Sequence, residues 1–126
     1  YHEMKDLKTI RYQQPVYLNN WAKCKKAEMV VDFQELEIIK DYSINILFAS
    51  YGYGDYSGQA FVLFEKLGKL YEVNGEHCSC YGLEDQWKPE ETTLEALKYR
   101  LENGDFGKSN SYNNNFADEL KEFLGI

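Results

Sequence analysis

The stretch SINILFASYGYGDYSGQAFVLFEKLGKLYEV, residues 43–73, decides the fold. Its first part, Ser43 to Tyr51, is β-branched, aromatic and short for a helix, and Gly52 stops it. Gln59 to Glu65 is a second apolar run of strand length, opened by Gly58. Lys66-Leu67-Gly68-Lys69 then supplies a glycine where a tight hairpin needs a positive φ. Leu70 to Val73 follows as a third strand, with Leu70 and Glu72 on one side and Tyr71 and Val73 on the other. Asn74-Gly75 reads as the next turn. The pattern is an antiparallel meander.

A sheet of this size must bury at least one face against something. Two helix candidates lie after it. Thr92-Thr93-Leu94-Glu95 fits a capping box on Thr92, Leu94, Leu97 and Leu101 fall at helical spacing, and Gly104 is a natural stop. Phe116, Leu120, Phe123 and Leu124 form a second stripe, opened by Asn115 and closed by Gly125. The expected architecture is α+β: a small antiparallel meander of three or four strands packed against two to four helices.

The 126 residues make one domain, with the meander and its helix over residues 43–101 as the centre. No apolar run approaches membrane-spanning length, so no membrane partner is expected. The N-terminal residues lack an apolar stretch, and no signal peptide is expected there. Three cysteines, an odd number, point to free thiols and a reducing cytoplasm. Residues 1–18 read as a loosely ordered basic arm, within which Met4 to Arg11 has the spacing of a short helix with Leu7 and Ile10 inward. A longer helix is expected over residues 19–36, capped by Asn19 or Asn20. Glu37 to Lys40 reads equally as an edge strand.

Charge is divided along the chain. Residues 1–26 carry a balance of +4 and residues 27–126 one of −11, within a total of −7. An acidic body repels a nucleic-acid backbone, so direct nucleic-acid binding is not expected. It suits a basic protein surface, such as one that itself holds nucleic acid. Solubility explains the same charge without a partner.

Three constellations could carry chemistry. His77-Cys78-Ser79-Cys80 holds zinc-ligand types, with Cys24 and His2 elsewhere. Cys-x-Cys is not the usual knuckle spacing, however, and neighbouring side chains on extended backbone point apart. Neither a metal nor any other cofactor is therefore expected. A nucleophilic cysteine needs a base in reach, and the acidic neighbours Glu76, Glu84 and Asp85 disfavour a thiolate. The second constellation, Tyr51-Gly52-Tyr53-Gly54-Asp55-Tyr56-Ser57-Gly58, lacks the lysine and glycine spacing of a phosphate loop. Its Tyr, Ser and Gly content resembles that of a recognition loop. The third is the acidic loop Glu84 to Glu91, where Trp87 is either a core plug at the sheet's end or an interface anchor ringed by charge. Together these give a candidate partner-binding set of Tyr51, Tyr53, Asp55, Tyr56, Glu84, Asp85, Trp87, Glu90 and Glu91, with no catalytic residue.

Residues 44–101, through FASYGYGDYSGQAFVLFEK, GKLYEVNGEHCSCYGLEDQW and PEETTLEALKYRL, resemble a family of small proteins encoded by bacteriophages and prophages. The similarity covers nearly half of the chain and leaves out the first forty residues and the Asn-rich segment 109–115. It carries no activity or catalytic residue across. What it implies is context: a small accessory phage protein that binds and blocks a host protein in the bacterial cytoplasm. The functional expectation is therefore a non-enzymatic, anti-CRISPR-like inhibitor of a nucleic-acid-handling defence enzyme. One alternative is a small zinc-binding or thiol-dependent enzyme using His77, Cys78 and Cys80. Another is a structural or replication accessory protein of a phage.

Overall fold

The computed structural model describes residues 7–10, 12–13, 15–19, 43–53, 58–77, 87–104, 106–109 and 114–125. Among them the elements are α1 (Leu7–Ile10), β1 (Val16–Asn19), β2 (Ile44–Tyr53), β3 (Gly58–Lys66), β4 (Lys69–His77) and β5 (Glu90–Thr92), then α2 (Leu94–Asn103), β6 (Lys108–Ser109), β7 (Asn114–Asn115) and α3 (Ala117–Leu124). β1 to β5 form one sheet in that spatial order, and β6 pairs β7 apart from it. From β2 to β5 the sheet is an antiparallel meander, while β1 joins β2 in parallel. The fold is α+β.

Period-two alternation sorts the side chains onto two apolar faces. Leu47, Phe48, Phe61, Leu63 and Leu70 are buried on one face with Ile10, Leu97, Leu101, Leu120, Phe123 and Leu124. Ile44, Ile46, Ala49, Ala60, Val62, Phe64 and Val73 are buried on the other, joined by Tyr17, Tyr51, Tyr71 and Trp87. A β-bulge between Ile46 and Phe48 makes both Leu47 and Phe48 face the helices. The reading of Leu70 and Glu72 on one face and Tyr71 and Val73 on the other matches this arrangement.

The meander has four strands, within the expected three or four, and β1 extends the sheet to five. β1 lies within the segment read as a loosely ordered arm, where Ile10 is completely buried and Val16 to Asn19 pair with Phe48 to Tyr51. Four residues carry too little periodicity to announce a strand, even between Pro15 and Asn20; their pairing comes from the neighbour. Asn19 ends β1, and the helix expected beyond it, like residues 37–41, lies outside the described residues. Asn74-Gly75 is no turn: β4 runs through it to His77 because Gly75 sits buried opposite Ala60 in the ladder. The expected hairpin at Leu67-Gly68 is present, with φ of 53° and 82° at its two central residues.

The helices stand where the leucine and phenylalanine stripes placed them, with differently built ends. The cap of α2 is Thr93, not Thr92: its hydroxyl accepts from the Ala96 amide at 3.1 Å while Thr92 is held in β5 opposite Leu70. Gly104 ends α2 in extended backbone. α3 begins at Phe116 with no side-chain cap, so Asn115 does not open it. The Gly107 carbonyl instead accepts the amides of Phe116 at 2.9 Å and Ala117 at 3.1 Å. Gly125, at φ 84°, closes α3 as expected. The Gln13 side-chain amide donates to the Phe123 carbonyl at 3.0 Å and ties the turn after α1 to the end of α3.

Candidate protein-binding site

Strand β5 is the third acidic constellation given a place. It runs antiparallel to β4 with Glu90 opposite Glu72, Glu91 opposite Tyr71 and Thr92 opposite Leu70. Glu90 and Glu91 are both exposed. Alternation sends Glu90 to the helix-bearing face and Glu91 to the face that holds Trp87. Like charges directly opposite each other, as Glu90 and Glu72 are, oppose pairing. Arg100 of α2 removes the conflict at Glu72.

Glu72 is a buried carboxylate whose oxygens accept both terminal nitrogens of Arg100, at 3.0 and 2.5 Å. Asn74 donates to the same carboxylate at 2.9 Å, and the guanidinium carbon lies 4.2 Å from the centre of the Phe106 ring. The cluster joins β4, α2 and the turn before β6. Its work is structural: it locks the helix that follows the acidic strand, so Glu90 and Glu91 stand on a fixed support. Sequence reasoning placed Glu72 on the correct face and missed its partner. The signal was available in kind, since a charged residue facing an apolar layer needs an opposite charge, but 28 positions separate Glu72 from Arg100.

Trp87 stacks on Phe64 with ring centres 5.6 Å apart, and Phe64 stacks in turn on Tyr71 at 5.4 Å. Of the two roles open to Trp87, packing against the sheet is observed, on its second face and two residues from the hairpin end of β3 and β4. Part of the indole stays accessible. This corner of the sheet holds Trp87 and the exposed Glu91 on one face and the exposed Glu90 on the other. Lys88 offsets one charge there, and Glu95 in the first turn of α2 restores it.

The tyrosine constellation lies elsewhere. Tyr51 packs on the same face as Trp87, opposite Ala60. Phe64 lies four positions along β3 from Ala60, about 13 Å at the usual rise of a strand. Tyr53 ends β2 opposite Gly58, and Gly58 is opposite His77, so Tyr53 and His77 share that end of the sheet. Asp55, Tyr56, Cys78, Cys80, Glu84 and Asp85 lie outside the described residues. Among the described residues no three His, Cys, Asp or Glu side chains gather where they could hold a metal ion. Among the same residues no helix is long and apolar enough to cross a membrane.

No family model, no curated protein and no solved structure matches this chain.

Proposed function

We propose that this chain is a phage-encoded acidic binding protein that inhibits a host nucleic-acid-handling defence enzyme by protein–protein contact, as anti-CRISPR proteins do. It acts in the cytoplasm of the bacterial host, without a cofactor and without catalysis of its own. The observation that carries the reading is the corner at β5, where the exposed Glu91 shares a face with the partly accessible Trp87 and the exposed Glu90 stands on the other side of the strand. A basic groove built for phosphates attracts such carboxylates, and an aromatic plate on the same face as one of them supplies the apolar anchor that binding energy concentrates on. The balance of −11 over residues 27–126 steers the approach from a distance. The resemblance of residues 44–101 to phage and prophage proteins supports the context.

The experiment is capture and inhibition. Immobilised protein is exposed to bacterial lysate at low salt, the retained proteins are eluted with a salt gradient, and nuclease activity of each is assayed with and without added chain. A retained nucleic-acid enzyme whose activity falls stoichiometrically is the expected result. Retention of proteins whose activity is untouched by the chain contradicts inhibition.

A further inference from the structure

The tip of the β3–β4 hairpin breaks two rules at one residue. Lys66 and Lys69 pair directly, leaving Leu67 and Gly68 as a two-residue connection with both φ angles positive. Such a turn favours Asn-Gly or Gly-Gly, because Cβ in left-handed backbone crowds the carbonyl oxygen that follows, and only Gly, Asn and Asp adopt it routinely. Leu67 is the one non-glycine residue with positive φ among the described residues. It is also 83% exposed, the highest value among the exposed large hydrophobic side chains. Neither packing nor turn chemistry accounts for leucine here, and an asparagine would satisfy both. Local rules broken without structural compensation mark sites selected for something else.

The tip is also built to hold its shape. The Gly68 amide donates to the Glu65 carboxylate at 3.0 Å, and Glu65 is itself buried. A side chain built at Gly68 would meet nothing within 4 Å, so the tip stands clear of the other described residues. An apolar side chain carried on a fixed backbone costs little backbone freedom on docking. We propose that Leu67 is a docking residue, which inserts into an apolar pocket of a protein partner whose rim carries a carboxylate facing the exposed Lys69. A lipid surface fits less well. One leucine carries far less apolar area than a single acyl chain, which alone binds membranes only marginally, and a net charge of −7 opposes approach to anionic lipid. The proposal is independent of the β5 corner, because it turns on an apolar pocket with an acidic rim and not on a basic groove.

A photo-crosslinking leucine analogue at position 67 tests it in bacterial lysate, with the same analogue at the exposed Ala96 as control. The expected result is a protein adduct from position 67 that is missing from position 96. An excess of unlabelled wild-type chain should suppress that adduct, and an excess of Leu67→Asn should not. The adduct protein, purified, should bind Leu67→Asn about ten- to a hundredfold more weakly than wild type, the loss that goes with one buried leucine side chain. Leu67→Met should bind nearly as wild type. Thermal melting guards against a folding artefact, since Asn-Gly suits the turn and Leu67→Asn should melt at or above the wild-type temperature. Adducts equal to the control, adducts to lipid, or competition by Leu67→Asn equal to wild type would each overturn the assignment.

Discussion

Replacing Gly107 with alanine should unfold the corner where α3 joins the sheet. Gly107 has φ 77°, a region in which an L-residue with a side chain is strained by about 1–2 kcal/mol. Its added methyl would lie 2.9 Å from the Ala117 amide nitrogen, 3.0 Å from Ala117 Cα and 3.1 Å from Cβ. The first two are backbone atoms of a helix start and the third is fixed rigidly to them, so none can swing aside. Moving them breaks the two hydrogen bonds that the Gly107 carbonyl accepts from Phe116 and Ala117, each contributing about 0.5–1.5 kcal/mol. It also disturbs Phe116, whose ring stacks on Phe61 at 4.9 Å and meets Phe48 and Phe106 edge-on. The sum is about 2–5 kcal/mol before any loss of ring packing. For a domain of this size that lowers Tm by roughly 8–20 °C. Chemical denaturation, with melting followed by circular dichroism, measures it. A Gly107→Ala protein within about 0.5 kcal/mol of wild type would mean that the carbonyl cap is dispensable and that α3 is set by its apolar stripe alone.

Leu97→Ala should cost about 2–5 kcal/mol in the same assay, as truncation of a fully buried leucine does, and an unchanged melting temperature would refute the α2 packing. Arg100→Ala should destabilise by about 1–3 kcal/mol by stranding the buried Glu72 carboxylate. The double change Glu72→Leu with Arg100→Leu should recover much of that loss, so additive losses in the double-mutant cycle would show the pair to be uncoupled. Elemental analysis of purified protein should find no stoichiometric zinc, and zinc that disappears on mutating Cys78 or Cys80 would promote the thiol-based alternative.

The meander, both amphipathic helices and the sidedness of β4 were legible because each is written in local periodicity. Alternation over Leu70 to Val73 and leucine spacing over Leu94 to Leu101 depend on nothing distant. What escaped depends on partners far along the chain. β1 exists as a strand because Phe48 to Tyr51 offer it a ladder, and α3 is capped by a carbonyl ten positions upstream of Ala117. Asn74-Gly75 carries the chemistry of a turn, yet Gly75 is buried in the ladder opposite Ala60 and the strand continues through it. The candidate site divides in the same way. Glu90, Glu91 and Trp87 were legible as an acidic loop with an aromatic, but no local signal showed that Trp87 folds onto Phe64. Nor could the sequence tell that the Tyr51 cluster lies about four strand residues away from that stack.

Association and dissociation rates for a captured basic partner, measured against ionic strength, test the account most directly. With Glu90→Lys and Glu91→Lys together, association at low salt should slow about tenfold or more, and the difference should shrink as salt shortens the screening length below about 8–10 Å. Trp87→Ala, once shown to be folded, should leave association nearly unchanged and speed dissociation. Charge reversal that alters neither rate would mean that the acidic corner serves solubility alone, and binding by electrostatic attraction to a basic groove would be contradicted.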